Sequence, residues 1–198
     1  METSGRAGCE RADRTEGGSL LLDKSIPYKA VLMKRPRGTP WKPYALPAGF
    51  SFGFYRPGDE RDWADIEASV LEFADADAAL AYYGKEFAPH PEELGRRQIF
   101  LRDAGGRAAA TISAWWKTDG ERRFPLIHWV AVKPEYQGRG LGKALVAEGI
   151  RVLAELEGGA DMYLATQTWS YKAINIYLDA GFEFMKRETF CGLKNEYD

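Results

Sequence analysis

An apolar run, Leu126-Ile127-His128-Trp129-Val130-Ala131-Val132, stops at Pro134 and gives way to a bend with glycine at every second position: Gly138, Gly140 and Gly142. Beyond the bend, Leu141, Leu145, Val152 and Leu156 recur at helical spacing until Gly158-Gly159 close the run. Few folds admit that order. A strand apolar on both faces belongs in the middle of a covered sheet, and a helix with one apolar stripe must fold back across that sheet to bury it. Met162 to Thr166 reads as the next strand and Ser170 to Leu178 as a helix. Gly181 is its left-handed terminator, and Phe182-Glu183-Phe184-Met185 starts a last strand.

The first half supplies the partners. Tyr28 to Lys34 is a candidate strand, and Pro36, Pro40, Pro43 and Pro47 then exclude helix or central strand. That stretch, with Trp41 and Tyr44, predicts a static cover over the sheet or, alternatively, a lid. Phe50 to Tyr55 alternates as a strand, and Arg56-Pro57-Gly58 turns the chain. Asp59 is placed to cap a helix running to Phe73 on Trp63, Ile66, Val70 and Phe73, and a second helix follows Asp75 and ends before Pro89-His90-Pro91. Gln98 to Arg102 and Ala108 to Trp116 flank Asp103-Ala104-Gly105-Gly106, the pattern of a hairpin. A hairpin followed by strand, helix, strand, helix, strand predicts a mixed sheet with helices on both faces. Three segments are expected: a polar leader at 1–24 (alternatively a short helix near Leu20-Leu21-Leu22), a strand with its Pro-rich cover at 25–49, and one folded domain at 50–198.

Composition narrows the chemistry. Lys and Arg number 27 against 29 Asp and Glu, a net charge of -2, which argues against nucleic-acid binding through a broad basic face. No window approaches the ~18 apolar residues of a membrane span, and Met1 to Gly18 lacks the apolar centre of a signal peptide. Cys9 and Cys191, at opposite ends and without metal-ligand spacing, predict neither a disulfide scaffold nor a metal site. A reducing cytosol is the expected compartment.

The glycine bend is where a ligand is expected. Without side chains in the way, the main-chain N–H groups from Gly138 to Lys143 can converge on one anion at the positive end of a helix, a geometry that suits pyrophosphate. Arg139 and Lys143 add charge at its rim. The alternative is a tight turn that only lets the helix pack closely. Neither the dinucleotide spacing G-x-G-x-x-G nor a Walker loop is present, which disfavours NAD or ATP.

Val130-Ala131-Val132-Lys133-Pro134-Glu135-Tyr136-Gln137-Gly138-Arg139-Gly140-Leu141-Gly142 resembles the acetyl-coenzyme A motif of the GNAT N-acetyltransferase family, whose pattern Q/R-x-x-G-x-G/A is met by Gln137, Gly140 and Gly142. Downstream, Ala173, Tyr177, Gly181 and Phe182 match the family's second block, with Ser170 where Asn is usual. The likeness covers residues 50–190. It implies the family's α+β fold, a mixed and mostly antiparallel sheet flanked by helices, and an acetyl-CoA-dependent transfer of acetyl to a primary amine of a small molecule or peptide, by a monomer or homodimer. The alternative is a non-catalytic acetyl-CoA-binding or sensing module.

By the same resemblance, the backbone of Val130, Ala131 and Val132 would pair with the pantetheine arm where this strand splays from the next. Gln137, Gly138, Arg139, Gly140, Leu141, Gly142 and Lys143 would bind the pyrophosphate. Tyr177 would protonate the leaving thiolate, or else is a core tyrosine. Ser170 either touches the cofactor or caps its helix. His128 is the candidate base, or else a buried structural histidine; alternation places it on one face with Leu126, Val130 and Val132 unless a bulge intervenes. Glu135 and Glu183 are fallback bases, with base-free catalysis through ordered water also open. Trp63, Phe73, Tyr82, Tyr83 and Trp169 either line the acceptor pocket or belong to the core.

Overall fold

The computed structural model describes residues 25–186 and 189–195; the expected leader, its alternative helix and Cys9 lie outside the described residues. Seven strands form one sheet: β1 (Ala30–Arg35), β2 (Phe50–Phe54), β3 (Gln98–Asp103), β4 (Ala108–Asp119), β5 (Arg122–Val132), β6 (Met162–Gln167) and β7 (Glu183–Phe184). Their spatial order is β2-β3-β4-β5-β6-β1-β7, antiparallel throughout except between β5 and β6. Helices α1 (Asp59–Ser69), α2 (Ala76–Glu86) and α3 (Pro91–Arg97) cover one face, and α4 (Leu141–Leu156) and α5 (Tyr171–Asp179) the other. This is the mixed sheet that the sequence predicts. No helix among the described residues is long and apolar enough to cross a membrane.

The α4 face holds the larger core. Leu145, Ile150 and Leu153 pack on Ile112, Ile127, Met162 and Leu164, each buried side chain contributing about 1.5–3 kcal/mol. Helix and sheet close tightly at Gly149, where an added Cβ would stand 2.4 Å from Ile112 Cδ1. The candidate strand at Tyr28 to Lys34 becomes β1, seated between β6 and β7. The Pro-rich segment after it is tied down as a cover: Trp41 Nε1 donates to Ala147 O at 3.0 Å, Arg35 donates to the carbonyls of Thr39, Pro40 and Ala180, and Lys42 pairs with Asp179.

Several expectations are corrected. Helix α1 ends at Ser69, not Phe73, because Leu71 turns left-handed (φ 66) and Glu72 N–H donates to Glu67 O. Asp59 does not cap it: Gly58 holds that position, and the Asp59 carboxylate accepts from Arg56 N and Arg102 Nη2. Pro91 starts a short helix that the sequence pattern did not predict. Strand β5 begins at Arg122, paired with β4 through a turn at Gly120, and the last strand shrinks to Glu183–Phe184. Gly181 (φ 87) terminates α5 as expected, with Phe182 N–H donating to Tyr177 O.

The β3–β4 turn carries a pH-dependent contribution to stability. The Asp103 carboxylate accepts from the N–H groups of Gly105 and Arg107, the Arg107 guanidinium and the Tyr136 hydroxyl. The Tyr136 hydrogen bond, followed by those of Arg107, lowers its pKa from 3.8 to about 2. The unfolded chain therefore takes the proton first, and the contribution is complete above pH 3.8 and lost towards pH 2. Asp103→Asn is expected to lower Tm at neutral pH and to flatten the fall of Tm between about pH 4 and 2. Thermal melts across that range, on both proteins, check it.

Candidate active site

Strands β5 and β6 touch at a single register pair, Leu126 with Tyr163, and diverge beyond it. The rest of β5, through Val132, is paired with β4 alone: Thr111 with Ala131 and Ala110 with Val132. Its other edge faces the opening, with main-chain groups available to an extended ligand. The register with β4 also slips between Ser113–His128 and Thr111–Ala131. This is a bulge, and Trp129 takes a left-handed conformation within it (φ 48). The bulge overturns the alternation expected of this strand. Ile127, Val130 and Val132 pack with the α4-side core, whereas Trp129 and Ala131 pack with α1 and α2, and His128 turns to Glu86 on α2. His128 therefore does not share a face with Val130 and Val132.

The bend after Pro134 leaves its main-chain donors unpaired. Gln137 N–H donates to Pro134 O, and the next main-chain amide with a partner is Ala144, which donates to Gly140 O. Between them, the six amides from Gly138 to Lys143 have no main-chain partner among the described residues. Gly138 and Gly140 hold φ of 76° and 80°, and no side chain caps α4. The positive end of the helix dipole is thus presented by bare N–H groups beside the β5 opening. Gln137 Nε2 donates to Val132 O at 2.9 Å, fastening the bend to the strand end. Arg139 Nη2 donates to Glu135 O and lies over the Tyr136 ring. Gly142 serves packing, since a Cβ there would meet Ile176 Cδ1 at 3.0 Å. The Lys143 ammonium is paired with Asp179 at 2.8 Å, and that partner is held far below the usual carboxylate range by Lys143 first, then by Tyr44 and Lys42.

Helix α5 brings Tyr177 against the same core, 6% exposed. Burial raises its pKa, and the negative charges of Glu72 and Glu67 raise it further, so the phenol stays protonated. Ser170 stands at the N-terminus of α5, but its side chain does not cap the helix; its Oγ instead lies 3.1 Å from Gln167 Nε2, the donor at the end of β6. Trp169 is engaged elsewhere, its indole N–H donating to Ile26 O.

On the α1–α2 side, His128 is largely buried, with Nε2 3.6 Å from Glu86 Oε1. Burial lowers its pKa below 6.5 against the opposing pull of Glu86, leaving a neutral imidazole at neutral pH. Glu86 is itself held low by the imidazole. Trp63, Phe73, Tyr82 and Trp129 form one aromatic group, with ring centroids 5.0 to 6.4 Å apart. Trp63 is core, while Phe73, Tyr82 and Trp129 remain half-buried. Tyr83 is buried and donates to Gln98 Oε1. The fallback bases Glu135 and Glu183 are exposed, Glu183 on the edge strand β7.

Sequence reasoning missed Glu67, Glu72, Glu86, Trp129 and Gln167. Glu67 had a signal, a carboxylate set inside the apolar stripe of Trp63, Ile66 and Val70. The others become neighbours only through the corner after α1 and the β5 bulge.

The family profile described as Acetyltransferase (GNAT) family matches residues 61–182. A mycothiol acetyltransferase of Salinispora tropica is 30% identical over 190 residues, covering 86% of this chain and 57% of that protein. One from Streptomyces bingchenggensis is 30% identical over 156 residues, with 76% and 49% covered. The chain thus spans about half the length of the curated relatives it matches. Among solved structures, a GCN5-related N-acetyltransferase from Sphaerobacter thermophilus has a TM-score of 0.60 at 20% identity, over 80% of this chain and 49% of that one. A tandem GNAT protein from the clavulanic acid biosynthesis pathway gives 0.58 at 22%, over 82% and 52%. These last two likenesses concern the fold. With more than half of its length matched by the family profile, on a sheet that opens beside a glycine bend, the chain belongs to the GNAT acetyltransferase family.

Proposed function

We propose that the chain is an acetyl-CoA-dependent N-acetyltransferase acting on a primary amine of a small molecule or peptide in a reducing cytosol. The observation that carries this reading is the set of six main-chain amides, Gly138 to Lys143, at the N-terminus of α4 beside the edge of β5 that β6 leaves open. A diphosphate fits those donors, and an extended pantetheine arm fits the main chain of Val130, Ala131 and Val132.

The amine nitrogen attacks the thioester carbonyl carbon, the C–S bond breaks, and acetyl passes to nitrogen. The proton lost by nitrogen goes to the His128 imidazole, and the departing thiolate takes the Tyr177 hydroxyl proton. Ser170 and Gln167 order the β6–α5 junction beside the arm. Isothermal calorimetry with coenzyme A tests the foundation: measurable heat of association is expected, and none at millimolar ligand would overturn the reading. Release of free thiol from acetyl-CoA over an amine panel separates an enzyme from a sensing module.

A base that must be neutral gives a directional pH prediction. With its pKa lowered from 6.5, His128 keeps its base form at neutral pH and loses it on acidification below that value. kcat/KM is expected to fall with a limb below pH 6.5 that disappears, along with about 10²-fold of the rate, in His128→Gln. A limb that persists unchanged in the variant assigns the base elsewhere.

A further inference from the structure

The corner between α1 and α2 holds two carboxylates that this mechanism does not use. Glu67, in the last turn of α1, is 1% exposed, and its Oε1 has no hydrogen-bond partner among the described residues. A carboxyl buried without its full hydrogen bonds is costly to retain where packing alone is needed, because leucine or methionine would fill the space without that cost. Glu72, five residues on, is exposed at the rim. Left-handed Leu71 turns the chain between them, and Glu72 N–H closes the corner on Glu67 O at 3.2 Å.

The corner is anchored to the opening in the sheet. Glu72 Oε1 accepts from Gln167 Nε2 at 3.2 Å, and Gln167 is the last residue of β6, at the wide end of its divergence from β5. The two carboxyl groups also lie within electrostatic reach of the Tyr177 phenol on α5. Half-buried Phe73 follows Glu72 directly in the chain, and Trp63, one helical turn before Glu67, packs against Phe73, Tyr82 and Trp129. A carboxyl at the floor that a cation can ionise and a second carboxyl at the rim, with aromatic faces for a wall, make the chemistry that receives a cationic nitrogen.

We propose that Glu67 and Glu72, with the faces of Phe73, Tyr82 and Trp129, form the acceptor's ammonium subsite, and that the acceptor is a cationic amine with an apolar or aromatic group next to its nitrogen. This rests on the acetyltransferase reading and narrows its substrate class. The amine docks as its ammonium and gives one proton to solvent water before attack, the second passing to His128 as the C–N bond forms. Burial, reinforced by the charge of Glu72, holds the Glu67 pKa well above the ordinary carboxylate value. Docking of a cation therefore ionises Glu67 and releases a proton to solvent.

Calorimetry on the coenzyme A-saturated protein at pH 7 tests this, with phenethylammonium as probe and phenethyl alcohol as its neutral counterpart, in two buffers of different ionisation enthalpy. The ammonium is expected to bind at least about tenfold more tightly than the alcohol, with proton release. Glu67→Gln should weaken the ammonium about tenfold or more, abolish the proton release and leave both the alcohol and coenzyme A unaffected. Exposed Glu72→Gln, which leaves the interior of the protein untouched, should weaken the ammonium about threefold. Equal binding of ammonium and alcohol by the wild-type protein, or undiminished ammonium binding in both variants, overturns the subsite. Failure of coenzyme A itself to bind overturns the acetyltransferase reading beneath it, so the two failures are distinguishable.

Discussion

Tyr177→Phe is expected to lower kcat by about 10²- to 10⁴-fold while leaving the affinity for acetyl-CoA and the Tm almost unchanged. The ring is what packs: it sits in the α4-side core and meets Phe182 edge-on at 6.1 Å. Phenylalanine keeps that ring and removes only the hydroxyl, so the substitution isolates the proton. Burial and the nearby carboxylates of Glu72 and Glu67 keep the phenol protonated throughout the working range. A strongly held proton is a poor one to give to a solvated thiolate. For a thiolate formed beside this phenol, as proposed, the same exclusion of water penalises the anion, which raises its own affinity for the proton. Transfer as the C–S bond breaks is therefore balanced. Steady-state kinetics with a saturating amine, together with a coenzyme A titration, checks it. An unaltered rate would remove Tyr177 from the mechanism.

Gly140→Val is expected to weaken acetyl-CoA binding by at least about tenfold and to lower Tm by several degrees. Gly140 holds φ at 80°, where a residue with a Cβ pays about 1–2 kcal/mol and a β-branched one more. No atom lies within 4 Å of the added Cβ, so the penalty is conformational and collision plays no part. The chain can relieve that strain only by letting the bend leave its left-handed conformation. The six amides then lose the arrangement the bend gives them, and because the last three belong to the first turn of α4 the helix start frays with them. Coenzyme A calorimetry and a thermal melt read the two consequences separately. A variant that binds coenzyme A like the wild type would show that these amides do not hold the diphosphate.

Most of the α4 face was legible from the sequence because its signals are local. Glycine marks the bend, the Gly158-Gly159 stop and the Gly181 terminator, and the period of Leu141, Leu145 and Val152 points one stripe at the sheet. The acceptor side was less legible for a common physical reason. Its turning points are residues that do not advertise a positive φ: Leu71 ends α1 where glycine is the usual terminator, and Trp129 makes the bulge in β5. Each reverses the facing of the residues beyond it. Thus Phe73 leaves the helix stripe for the aromatic wall, and His128 parts company with Val130 and Val132. Pro91 is a readable signal for the first turn of α3, but it stands in the same Pro89-His90-Pro91 run that closes α2. Ser170 had the residue type of a cap without the geometry, its hydroxyl being engaged by Gln167. The partners of β1 lie more than a hundred residues away, beyond any local periodicity.

That last pairing sets the order in which the molecule can be completed. Ala30–Arg35 leaves the ribosome more than a hundred residues before β6 and β7, the strands it must join, are made. Throughout elongation its two long sides, with Val31, Leu32 and Met33 destined for the interior, wait without their native neighbours. Contacts of such large sequence separation form slowly, and an unpaired apolar strand is prone to join another copy of itself. The nascent chain is thus most exposed to misassembly in the interval just before β6 emerges.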